Sequence, residues 1–190
     1  MVTDKKIISG CVEGDRVAQR ELYEKYSPAM YTICIRYSKD RFEAEDILHD
    51  TFMKVYLNMK DFRNEGSFEG WIKRIVINTA LNHKQKTKNN NYHQNFDNIR
   101  ETEILDSNNE YENDEIDIEF TEEELVNAIQ DLPCGYRTVF NLYVFEKFKH
   151  KEISEKLGIT ENTSKSQLRK ARILLKKKLL NETLVKKLVI

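Results

Sequence analysis

The 190 residues carry 31 Lys and Arg against 32 Asp and Glu, with 33% charged and 39% hydrophobic residues. That hydrophobic share supports a core, while only 6 Gly and 2 Pro argue against turn-rich sandwiches and barrels and favour long helices. No apolar run approaches the roughly 18 residues that span a bilayer. The opening MVTDKKIISGCVEGD places acid and glycine where a signal peptide has its apolar stretch, so a soluble, cytoplasmic protein is expected.

The net charge of -1 conceals a pattern. Residues 1–88 carry 16 basic and 13 acidic side chains, residues 89–124 carry one basic (Arg100) and 13 acidic, and residues 125–190 carry 14 basic and 6 acidic. A mildly basic piece, an acidic strip and a strongly basic piece predict two modules joined by a linker. Cys11, Cys34 and Cys134 are too far apart for a CxxC pair and are expected to be reduced and packed. His49, His83, His93 and His150 show no ligand spacing, and neither a metal nor another cofactor is expected.

In the first module, Val17, Leu22, Tyr23, Tyr26, Met30, Ile33, Cys34 and Tyr37 fall mostly at helical spacings, and the Ser27–Pro28 step predicts a helix end or restart. Ala44, Ile47, Leu48, Thr51, Phe52, Val55 and Tyr56 specify the core face of a second helix. Its other side presents Asp46, His49, Asp50 and Met53 in one stripe, which reads either as a solvated face or as a docking surface for a basic partner helix. The loop DFRNEGSF follows, flanked by Phe62 and Phe68, and then a third helix lined by Phe68, Trp71, Ile72, Ile75, Val76 and Thr79. Most of these are core. Next to Lys73, Arg74, Asn78 and Asn82, such a loop also carries the groups that hold an unstacked base.

Residues 89–119 are rich in Asn, Glu and Asp and show no sustained period. Such a segment buries too little to offset its ordering entropy, and a flexible tether is expected. A second reading gives its acidic run a basic channel on a partner.

In the second module, Leu125, Ala128, Ile129 and Leu132 form a stripe that ends near Pro133, and Tyr136, Val139, Phe140, Tyr143 and Val144 form another helix. Ile153, Leu157 and Ile159 around Gly158, followed by Leu168, Ala171 and Leu175, describe a short helix, a three-residue turn and a longer helix, with Thr160 as its N-cap. This is the helix-turn-helix pattern. The longer helix carries Lys165, Arg169, Lys170, Arg172, Lys176, Lys177 and Lys178, which repel one another unless a polyanion neutralises them. Asn162, Thr163, Ser164, Lys165, Ser166 and Gln167 at its start are short or polar enough to reach base edges in a major groove.

Four segments, FEAEDILHDTFMKVY (42–56), DFRNEGSFEGWIKRIVINTALN (61–82), the DLP of 131–133 and EISEKLGITENTSKSQLRKAR (152–172), occur in that order around a variable linker. Together they resemble an extracytoplasmic-function sigma factor of the sigma-70 family. The resemblance implies an all-α protein with a region 2 domain at 1–88, a flexible acidic linker at 89–119, a region 4 helix-turn-helix domain at 120–182 and a tail at 183–190. It implies that Asp46, His49, Asp50 and Met53 dock on RNA polymerase core, although His49 and Asp50 stand where the family often has Gln and Glu. Phe62, Asn64, Gly66, Ser67 and Asn78 match the part that captures a flipped base of the -10 element, with Lys73 and Arg74 along the strand backbone. Thr163, Ser164, Lys165, Ser166, Gln167, Arg169, Lys170 and Arg172 match the helix that reads the -35 element, with Ser164 standing where many members have Val. An anti-sigma partner is implied as well, and a monomer when free.

Two rivals remain at this point. A stand-alone helix-turn-helix regulator explains residues 150–178 but leaves the acidic face of 46–53 unused and lacks an evident dimerisation element. An enzyme built on Asp46, His49 and Asp50 has neither a nucleophile nor a Gly-rich phosphate loop to work with.

Overall fold

The computed structural model describes residues 4–63, 65–90 and 120–189, with the side chains of 84–90 and 182–189 excepted. Asn64 and residues 91–119, on which the expected flexible linker falls, lie outside the described residues. Every described element is helical or a turn, and the chain divides into two compact units, residues 1–88 and 89–190.

The first unit begins with α1 (Asp4–Glu13), a helix that the sequence reading missed; its buried residues are only Ile7 and Cys11, too short a stripe to declare itself. Asp15 caps α2 (Arg16–Tyr37) by accepting from Val17 N at 2.9 Å. The expected break at Pro28 does not occur, and α2 runs through it. A proline there removes one helical bond at a cost of about 3 kcal/mol. Met30 and Tyr37 beyond it are almost completely buried, and full burial of a large apolar side chain returns roughly 1.5–3 kcal/mol. Packing on the buried face therefore outweighs the local defect, and Pro28 itself points to solvent.

Asp40 caps α3 (Arg41–Leu57) by accepting from Glu43 N at 2.8 Å, and Glu43 Oε2 accepts from Lys39 N at 2.6 Å. A single 3₁₀ turn (Met59–Asp61) leads into the loop before α4 (Phe68–Asn90). The core joins Leu22, Met30 and Tyr37 of α2 to Ile47 and Val55 of α3 and Ile72 and Val76 of α4. Val17 and Tyr23, counted with the core from spacing, are 65% and 42% exposed.

The second unit opens with a capping box, Thr121 and Glu124 satisfying each other's backbone N–H, at the start of α5 (Glu122–Gln130). After Pro133, α6 (Cys134–Phe140) passes into a π-helical turn (Asn141–Phe145), so the single helix expected over 136–144 is two elements. Buried Arg137 donates from Nη2 to the Leu132 carbonyl at 3.0 Å, tying α6 to the end of α5. Then come α7 (His150–Leu157) and α8 (Glu161–Val189). The three-residue turn between them rests on Gly158, which ends α7 at φ 66°. This left-handed conformation costs a residue with a Cβ roughly 1–2 kcal/mol. The backbone of α8 continues through the segment expected as a tail.

Two of the three cysteines are packed as expected. Burial pushes the Cys11 thiol up to about 11 and the Cys34 thiol to about 12. Cys134 is the exception: at the first position of α6 it is exposed.

Candidate nucleic-acid interface

Three surfaces carry the residues singled out by the sequence. The first is on α3, where Ala44, Ile47, Leu48, Thr51, Phe52 and Val55 turn inward and Asp46, His49, Asp50 and Met53 all turn outward. The stripe is longer than predicted. Phe42, one turn before Asp46, is 80% exposed, and Leu57, one turn beyond Met53, is 77% exposed. A helix face that alternates exposed apolar groups with carboxylates suits a protein partner better than water. The i, i+4 spacing of Phe42 and Leu57 from the predicted stripe was the signal that could have found them.

The second surface is a cleft of about 240 Å³ at the start of α4, lined by Asp61, Phe62, Arg63, Glu65, Gly66, Ser67, Gly70, Trp71 and Arg74. Its wall is aromatic. Phe62 lies 5.0 Å from Phe68 and 5.5 Å from Trp71 between ring centroids, and Trp71 stacks on Phe68 with 21° between planes. Phe68 is buried, whereas Phe62 and Trp71 are only half-buried and keep apolar surface open to the cleft. The loop reaches α4 through Gly66 at φ 110°, and Ser67 then caps the helix by accepting from Gly70 N at 3.1 Å. Ser67 thus anchors the cleft wall while its residue stays exposed.

Arg74 lies one turn beyond Trp71, and exposed Asn78 continues the same helical face. Lys73 is half-buried and sits round the helix from this line, so it does not join them. Arg63 and Trp71 are cleft residues that sequence reasoning did not pick: the first lay in a loop without period, and the second was assigned to the core.

The third surface is the outer face of α8. Thr160 caps the helix by accepting from Thr163 N at 3.1 Å, and the two hydroxyls lie 2.8 Å apart. Lys165, Ser166, Arg169 and Arg172 are exposed at helical spacings. Lys170 is half-buried with its ammonium 6.0 Å above the Tyr136 ring, and Arg172 lies 5.9 Å above Tyr143. Gln167 is half-buried against Gly135; a Cβ there would come within 3.2 Å of its Nε2.

Ser164 is a correction. It is completely buried, its Oγ 2.9 Å from His150 Nδ1, and it cannot face DNA. The reason is helical phase: Ser164 shares the inward face with Leu168, Ala171 and Leu175.

The sequence matches Sigma-70 region 2 over residues 22–90 and Sigma-70 region 4 over residues 122–175. It is 31% identical over 182 residues to the ECF RNA polymerase sigma factor SigW of Bacillus subtilis, covering 92% of this chain and 96% of SigW. The chain belongs to the extracytoplasmic-function sigma factors. This sigma factor is also 26% identical over 162 residues to SigM of the same organism, covering 82% of this chain and 91% of SigM. In fold it is similar to the sigma factor RpoE of Bartonella quintana, solved with the anti-sigma factor NepR, with a TM-score of 0.50 and 20% identity over 84% of this chain and 95% of RpoE. It is a promoter-specific factor for RNA polymerase, and the aromatic cleft lies inside the region 2 match and the outer face of α8 inside region 4.

Proposed function

We propose that the three surfaces divide the work of promoter recognition, with residues 1–88 acting on the -10 element, 89–119 as the linker and 120–182 on the -35 element. The stripe Asp46, His49, Asp50 and Met53, lengthened by Phe42 and Leu57, docks on polymerase core. The cleft receives a base unstacked from the -10 strand against the open aromatic wall of Phe62 and Trp71, with Arg74 and Asn78 along the backbone. Lys165, Ser166, Arg169 and Arg172 face the -35 duplex, while Thr163, Gln167 and Lys170 hold the start of α8 in place.

The observation that carries this reading is the cleft, where two half-buried aromatic rings and an arginine meet. Extracting a base costs a few kcal/mol. Stacking on an aromatic ring returns about 1–3 kcal/mol per base, and the cation adds attraction to the phosphates, so capture and strand opening become one event. Each unit alone binds weakly; held on polymerase, the second contact gains an effective concentration on the order of millimolar.

The factor acts by binding, without chemistry or a cofactor of its own, as a cytoplasmic monomer that does not insert in a membrane. No described helix is long and apolar enough to cross one. An anti-sigma protein covering the α3 stripe is the expected inhibitor; the exposed Phe42 and Leu57 and the anti-sigma factor bound to the Bartonella relative support it.

The test is transcription from a promoter library by purified core polymerase with and without the protein. Defined transcripts should require both components. A footprint on duplex DNA by the protein alone, with no response of core, would replace this reading with that of a stand-alone regulator.

A further inference from the structure

The side chain of Ser164 poses a question that the DNA-facing surface does not answer. It sits in the first turns of α8, is 0% exposed, and carries a hydroxyl that must be paired once it leaves water. Its partner is His150 Nδ1 at 2.9 Å, from the first residue of α7. The His150 ring is itself held: it stacks on Tyr143 with centroids 4.7 Å apart and 23° between planes. On the Tyr143 ring lies the Arg172 guanidinium, from α8 again, at 5.9 Å. The contacts close a loop from α8 through α7 and the π-helical turn back to α8.

We infer that the His150–Ser164 hydrogen bond is a positioning contact that fixes the rotation of α8 about its axis, and thereby which base edges Lys165, Ser166 and Arg169 reach. The inference rests on the reading that the outer face of α8 contacts the -35 duplex. An apolar side chain at 164 would fill the same space with little preference for angle. A hydrogen bond weakens steeply when its angle is lost, so it resists rotation. Lys165 and Ser166 follow directly on the chain, and any turn of the helix about Ser164 carries them with it. His150 and Ser164 touch no DNA in this arrangement; they act through the residues beside them.

The test uses the full chain assembled with core polymerase and a library randomised at the -35 element. The readout is the enrichment of the best -35 sequences over the library mean, beside thermal unfolding of each variant. Ser164→Ala, which removes one buried oxygen, and His150→Ala should each lower that enrichment roughly 3- to 10-fold, part of what one mismatched base pair costs. The double variant should be no worse than either single, because both remove one contact. His150→Asn, whose amide reaches the place of Nδ1, should recover most of the loss. Enrichment unchanged in Ser164→Ala and His150→Ala despite lower unfolding temperatures would reduce the contact to a structural one and overturn the inference, as would additive losses. Arg169→Ala separates the two levels. If it abolishes enrichment while the alanine variants do not, only the positioning role falls; if it too leaves enrichment intact, the reading of α8 falls and takes the inference with it.

Discussion

Helices α3 and α8 are each buried on one face and offer the other to a partner, yet they were read from the sequence with different success. On α3 the four residues chosen, Asp46, His49, Asp50 and Met53, all point outward. On α8 the chosen residues include buried Ser164 and half-buried Thr163, Gln167 and Lys170 beside the exposed Lys165, Ser166, Arg169 and Arg172. The α3 residues were taken at intervals of three and four, whereas those on α8 were taken partly as a continuous polar run. Successive residues on a helix are about 100° apart, so a continuous run visits every side. Periodicity identifies a surface; polarity in sequence does not.

The comparison breaks most easily on the acidic stripe. Replacing Asp46 and Asp50 by Lys should lower transcription with core polymerase by about 100-fold or more, since reversing charges against a complementary partner costs several kcal/mol. Both residues are exposed, and the unfolding temperature should stay within about 2 °C of wild type, as surface changes usually do. A comparable loss of stability would mean that the stripe belongs to the fold.

On the cleft, Trp71→Ala should reduce strand opening at the -10 element by about 5- to 150-fold, matching the 1–3 kcal/mol of a base-stacking contact. A fluorescent base analogue in the -10 strand reports the opening, and binding of the same promoter through the -35 duplex should persist. Equal loss of both would place Trp71 in the core, where spacing alone had put it.

A smaller effect tests the loop that leads into α7. Lys147 holds φ 61°, the left-handed region in which a Cβ is strained. Lys147→Gly relieves that strain but loosens the unfolded chain, leaving a net gain of about 0.5–1 kcal/mol. Unfolding by urea should show it as a higher midpoint at unchanged slope; a lower midpoint would show that the lysine side chain contributes more than its backbone costs.

Most of the architecture was legible. The turn at Gly158, the cap at Thr160 and the buried face of α3 are local features, written within a few residues of where they act. What escaped depends on partners far along the chain. Continuity of α2 through Pro28 is decided by packing against α3 and α4, and the partner that satisfies the buried Ser164 hydroxyl, His150, lies 14 residues away. The cleft was half legible: Phe62, Gly66 and Ser67 were identified, but Trp71 is open on one side only because α4 begins where Ser67 caps it.

The smallest expected effect concerns protonation of His150. Burial, and then the charge of Lys165 on α8, hold its pKa below the ordinary 6.5; Glu161 pulls the other way, and Arg172 adds a smaller push downward. Tyr143 and Ser164 complete its surroundings. The folded protein therefore keeps the ring neutral at a pH where the unfolded chain has begun to bind a proton. Stability is at its full value above about pH 6.5, and it declines as pH falls from there through the lowered folded value. Since the ring is partly exposed, solvent screens much of the effect, which is best read as a difference. Thermal unfolding of wild type and His150→Asn from pH 8 to pH 5 cancels the titration of every other group. The difference between them should shrink as the pH drops, with the wild type losing its advantage; a difference that stays constant would show that the ring is no harder to charge in the folded protein than in the unfolded chain.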